Sequence, residues 1–85
     1  MSQYEKVLAR FKSLPTDFTY DELRFLLEHL GFKECKKGKT SGSRVSFIRE
    51  KDQRKYMIHK PHPGNVVKRV YLKQIYIDLV INGEV

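Results

Sequence analysis

The chain has 85 residues, with 17 Lys and Arg against 10 Asp and Glu, for a formal net charge of +7. That length allows one domain with a modest core, burying about 60–65% of the surface its unfolded chain exposes. A lone Cys35 excludes disulfide frameworks and cysteine-based zinc sites within the chain, and no apolar run approaches the roughly 18 residues a membrane span needs.

Ser2-Gln3-Tyr4-Glu5 fits a capping box, in which hydroxyl and carboxylate satisfy each other's helix-end N–H groups. Tyr4, Val7, Leu8 and Phe11 then recur at i, i+3, i+4, i+7 and predict a short helix with one apolar stripe, ended by Pro15. A helix this short must dock on the remainder to persist. We read residues 1–14 as an N-terminal helical extension and 17–82 as the core of a single domain.

The segment from Asp17 to Leu23 is the strongest local signal. Thr19 is the expected N-cap, Glu22 closes a second capping box, and Phe18 with Leu23 forms a hydrophobic staple. Leu23, Leu26, Leu27 and Leu30 make the buried stripe. Gly31 suits the left-handed position that ends a helix, with Phe32 folding back on Leu27. Phe25 lies off the stripe and is expected to pack on the first helix. His29 sits in the last turn, where a cation is mildly favourable, and reads as a helix-end residue rather than a catalyst.

Three strands are expected next: Phe32–Lys36, Arg44–Arg49 and Tyr56–Lys60, with the charged Glu50–Lys55 stretch as a hairpin turn. Alternation places Val45 and Phe47 on one face of the second strand and Arg44, Ser46 and Ile48 on the other. In the third, Tyr56 and Ile58 share a face opposite Met57 and His59. Pro61-His62-Pro63-Gly64 reads as a stiff exit loop, because proline cannot continue a central strand. From about Lys68 or Val70 to Ile81 the period is helical again, through Leu72, Ile75, Tyr76 and Leu79. Val70, Tyr71, Ile77 and Ile81 widen its apolar surface, enough for a second face of the domain or an oligomer contact. The order is α-α-β-β-β-α, an α+β class with helices on one face of an antiparallel sheet and cations on the other.

Between the first two strands runs Lys36-Lys37-Gly38-Lys39-Thr40-Ser41-Gly42-Ser43-Arg44, with no carboxylate. Glycines let a backbone approach a ligand, hydroxyls donate to phosphate oxygens, and Arg offers a planar fork. The same composition suits a solvated turn. The tail Gly38-Lys39-Thr40 lacks the upstream glycine of a phosphate-binding P-loop. Histidine titrates near neutrality and suits general acid–base work. His59 and His62, flanking Lys60 and Pro61, fall at one rim of the sheet. Three scattered histidines lack zinc-ligand spacing, so neither a metal nor another cofactor is expected. The basic balance favours nucleic acid or an anionic surface as partner, with an acidic protein answering the same charge. A polar N-terminus without a signal peptide points to the cytoplasm and away from membranes.

The run from Asp17 to Leu23, followed by Leu30-Gly31-Phe32, resembles the opening helix of HicA-type toxins of bacterial toxin–antitoxin systems. The Gly38–Ser43 segment and His62-Pro63-Gly64 are similar to later stretches of that family, in the same order, so the resemblance spans about Phe18 to Leu79. It implies a double-stranded-RNA-binding-domain-like fold and an mRNA-cleaving endoribonuclease (mRNA interferase) neutralised by a HicB-type antitoxin encoded nearby. It also implies a catalytic histidine after the Gly-Ser pair, where this chain has Arg44, similar to a subgroup with a Thr-Ser-Gly-Ser-Arg loop. Arginine stays protonated and cannot act as a general base. The expected division of labour is therefore His59 or His62 for proton transfer, with Lys37, Lys39, Thr40, Ser41, Ser43, Arg44, Ser46 and Lys60 binding RNA. The alternatives are a non-catalytic RNA-binding module and an antitoxin-binding interaction domain that has lost cleavage.

Overall fold

In the computed structural model, residues 2–36, 44–59 and 64–85 are described. Helix α1 spans Gln3–Lys12 and α2 spans Tyr20–His29. Both start as their sequences predict. The Ser2 hydroxyl accepts from the Glu5 N–H at 3.2 Å, and the Thr19 hydroxyl accepts from the Glu22 N–H at 3.1 Å, with the return bonds also formed. The end of α2 is a Schellman motif: the Gly31 N–H reaches the Glu28 carbonyl and the Phe32 N–H reaches that of Leu27, with Gly31 at φ +98°.

Strands β1 (Lys33–Lys36), β2 (Arg44–Arg49) and β3 (Arg54–His59) form an antiparallel sheet in the order β1-β2-β3, and α3 spans Arg69–Ile81. The element order and α+β class are those expected, and the fold is of the double-stranded-RNA-binding-domain-like kind. Val45, Phe47 and Ile58 enter one buried cluster with Phe32 of the α2–β1 junction, Leu23, Leu26 and Leu27 of α2, and Leu72, Ile75 and Leu79 of α3. Helix α1 adds Val7 and Phe11 to that same cluster. Phe25 is only partly covered, with His29 as its aromatic neighbour, and His29 in turn stacks on Tyr4 of α1.

β1 begins one residue later than the expected Phe32, and one boundary shifts further. β3 begins at Arg54, inside the charged stretch assigned to the turn, because Arg54 and Lys55 pair with Arg49 and Ile48. The turn is confined to residues 50–53, with Gln53 in the left-handed region. Arg54 then faces the helices and finds anions there.

The two ends of the sheet differ. At the β2–β3 turn, Arg49 holds Glu84 and Asp52 and also donates to the Leu30 carbonyl at 3.1 Å. Arg54 holds Asp78 and Glu84, and the Tyr56 hydroxyl donates to Asp78. The Arg49 guanidinium lies 4.7 Å from the Phe32 ring centroid, within cation–π range. This end is saturated with internal partners. The opposite end carries Arg44 and His59.

Candidate functional site

Register decides which side chains meet. Arg44 pairs with His59, Ser46 with Cys35 and Met57, and Ile48 with Lys33 and Lys55. Side chains alternate along a strand, so these positions share the sheet face turned away from the helical core. Among the described residues this face carries no carboxylate. Lys33, Lys55 and His59 are exposed on it, and Cys35 is half-buried. Ser46 is only 6% exposed, because a small side chain at the centre of the middle strand is hemmed in by its neighbours. Its hydroxyl is less available than alternation alone suggests. Met57, at 49%, is the main apolar surface of the face.

The carboxylates are engaged elsewhere. Glu5 closes the first capping box, and Glu22 caps α2 while receiving Arg10 at 2.7 Å. Asp17 also meets Arg10, Asp21 accepts from Asn65, and Glu34 accepts from Tyr20 beside Arg24. Asp52, Asp78 and Glu84 belong to the Arg49–Arg54 cluster. Only Glu28 and Glu50 have no side-chain hydrogen-bond or ion-pair partner among the described residues. Among the described residues the outer sheet face and the start of α3 are therefore the cationic surfaces, which a net charge alone does not reveal.

His59 ends β3 beside the first turn of α3, its ring centroid 6.5 Å from that of Tyr71. That helix begins without a side-chain cap: Lys68 occupies the N-cap and no acidic residue follows in the first turn. The positive end of the helix dipole and the adjoining Lys68 and Arg69 give this end a positive potential. The entry to α3 is pinned from behind. The Val67 N–H donates to the Phe18 carbonyl at 2.8 Å, and the Tyr20 N–H to the Asn65 carbonyl at 2.7 Å. A histidine, an uncapped helix start and two cations thus adjoin one rim of the sheet.

Of the expected site residues, the structure brings His59 across from the backbone of Arg44, two pairs along from Ser46–Met57. His62, Lys37, Lys39, Thr40, Ser41, Ser43 and Lys60 lie outside the described residues, as does the side chain of Arg44. Lys68, Arg69 and Tyr71, which adjoin this rim, were not among the expected site residues. The signal for the first two was in the sequence: no Ser, Thr, Asp or Asn stands at the helix start, although such residues normally do. Among the described residues no group of His, Cys, Asp and Glu could hold a metal ion. No helix of the described residues is long and apolar enough to cross a membrane.

Comparison with protein families finds one model in agreement, described as the HicA toxin of bacterial toxin–antitoxin, matching residues 20–81. That range takes in α2, the whole sheet and α3, and leaves α1 outside. No curated protein and no solved structure gives a match.

Proposed function

Because the chain belongs to the HicA toxin family, we propose that it is the toxin of a type II toxin–antitoxin pair, an RNA-binding endoribonuclease that cleaves mRNA without a metal. Its antagonist is a HicB-type antitoxin encoded nearby, and both act in the cytoplasm. Metal-free cleavage needs a base to take the 2′-hydroxyl proton, an acid to protonate the leaving 5′-oxygen, and cations around the phosphorane. His59 or His62 serves in proton transfer. Lys37, Lys39, Arg44 and Lys60 hold the phosphates, with Thr40, Ser41, Ser43 and Ser46 as hydroxyl donors and the start of α3 adding Lys68 and Arg69. The single observation that supports this most is the position of His59, between the register partner Arg44 and the uncapped, cationic start of α3.

The experiment incubates purified protein with labelled RNA in EDTA, beside His59→Ala, His62→Ala and Arg44→Ala. Cleavage that survives EDTA and is lost with one histidine supports the enzyme. A wild type that binds RNA without cutting it overturns catalysis and leaves the second reading, a non-catalytic RNA-binding module. One observation favours that reading: Arg44 follows the Gly42-Ser43 pair, and a permanent cation there anchors phosphate without abstracting a proton. Tight binding to the neighbouring gene product with no RNA affinity would instead mark an antitoxin-binding domain that has lost cleavage.

A further inference from the structure

The outer edge of β3 is open. The strand pairs with β2 along all six of its residues, while among the described residues no backbone hydrogen bond reaches it from its other side. In an antiparallel ladder alternate residues turn their N–H and C=O groups away from the partner, so such an edge presents a row of free donors and acceptors. The other edge, β1, has four residues with Lys at both ends, a common way of blunting an edge. β3 is longer and exposes Met57 at its middle.

Alongside this edge runs a groove between β3 and α3, with a volume of about 280 Å³. Tyr56, Ile58, Tyr71 and Ile75 line it, with Lys55 and Gln74 among its other walls. An added strand would place alternate side chains in it while its backbone paired with β3, the arrangement of β-augmentation.

We propose that β3 and this groove form a strand-addition site for an extended, acidic and apolar segment of the neutralising partner protein. The proposal rests on the toxin–antitoxin reading and goes beyond it by naming the docking element and the chemistry of its occupant. Charge selects that occupant. Lys55 and His59 are exposed on the strand, and the one carboxylate in the groove wall, Asp78, is held by Arg54 and Tyr56. A second copy of this chain paired antiparallel about Met57 would set Lys55 opposite His59, with no carboxylate on either strand to meet the lysine. Glutamate or aspartate on the incoming strand meets Lys55 and can accept a hydrogen bond from His59, and its apolar residues meet Tyr71 and Ile75.

The test is backbone amide hydrogen exchange on the full chain, alone and in complex with the protein encoded by the adjacent gene. Alternate amides of Arg54–His59 are expected to slow by about tenfold or more in the complex, while those of Lys33–Lys36 stay unchanged. Gln74→Glu, which repels an acidic strand, and Gln74→Trp, which fills the groove, should each weaken the complex by about tenfold. Gln74 is exposed, so neither change burdens folding, and RNA affinity measured on the same variants should stay within about twofold of wild type. A complex whose β3 amides exchange as in the free chain overturns strand addition and leaves the toxin reading standing. Failure to form any complex overturns both. Self-association that protects the same amides without the partner overturns the acidic occupant in favour of a second copy.

Discussion

The imidazole of His29, in the last turn of α2, lies almost flat against the phenol ring of Tyr4 in α1, with centroids 3.8 Å apart and planes 15° from parallel. This contact lies across the boundary of the family match, since Tyr4 falls outside residues 20–81 and His29 within them. Phe11 completes the junction, fully buried and edge-on to Tyr76 of α3. The extension is thus packed into the core rather than appended to it. Phe11→Ala should lower unfolding free energy by about 3–5 kcal/mol, and Tyr4→Ala by about 1–2. Urea denaturation checks both, and a Phe11 variant as stable as wild type would mean that α1 is dispensable to the fold.

Glu84 receives both Arg49 and Arg54 and so fastens the C-terminal segment to the β2–β3 turn. Removing it leaves two largely covered guanidinium groups short of an anion. Glu84→Ala should cost about 2 kcal/mol, within the range for hydrogen bonds to charged groups. Glu50→Ala, in the neighbouring turn and without such partners, should cost less than about 0.5 kcal/mol. Equal losses for the two would remove the cluster from the account of stability.

The same cluster sets the acid limb of stability. Hydrogen bonds from Arg49 hold the Glu84 and Asp52 carboxyls below their ordinary values, and Tyr56 with Arg54 does so for Asp78. A carboxylate depressed in the folded state contributes stability that is complete above its unfolded value and is lost as pH falls through the folded one. The urea midpoint should therefore change little from pH 7 to about 5 and drop below about pH 4. Glu84→Gln should make that drop shallower, which a pH series of denaturation curves reads directly.

Gly31 combines φ +98° with a close neighbour, since a Cβ there would lie 3.3 Å from Cδ of Arg49. Gly31→Ala should destabilise by about 1–2 kcal/mol, through the left-handed backbone and the displaced arginine together. Thermal melts of this variant beside Gly83→Ala would separate the two causes, because Gly83 has a positive φ but open space around it.

For the proposed RNA-binding surface, Lys68→Glu and Arg69→Glu should each weaken RNA binding by about tenfold, with log affinity falling against log salt by about 0.7 per phosphate on a single strand. Each variant should lower that slope by about one contact's worth. A slope near zero in wild type would count against any phosphate-tracking face.

Much of the fold was legible because its signals are local. The capping boxes of Ser2–Glu5 and Thr19–Glu22 and the Schellman end at Gly31 involve residues three to five apart. The strand faces follow from alternation alone, as Tyr56 and Ile58 show. The start of β3 was not legible, because Arg54 is a strand residue on account of Asp78 and Glu84, distant in sequence and supplied by the far end of the chain. The burial of Ser46 is likewise a property of the register, set by which residues flank it. As for the candidate site, the shared face of His59, Arg44 and Ser46 followed from strand parity, while the pairing of His59 with Arg44 is set by the register. The placement of Lys68 and Arg69 beside it did not, because what marks them is a missing cap beside a strand end that only the fold brings near. The glycine- and serine-rich stretch before Arg44 and the His62 loop lie outside the described residues.

The engagement of the carboxylates inside the molecule has a consequence for how the protein can change. Charges that fasten the fold and charges proposed to meet a partner reside on separate sets of residues. Substitutions among the outer lysines can therefore retune affinity, partner choice and solubility with little loss of stability. Changes at Arg49, Arg54 or their acids carry the opposite signature. Drift should be tolerated on the cationic face at a rate set by partner recognition, and suppressed at the clamp by folding itself.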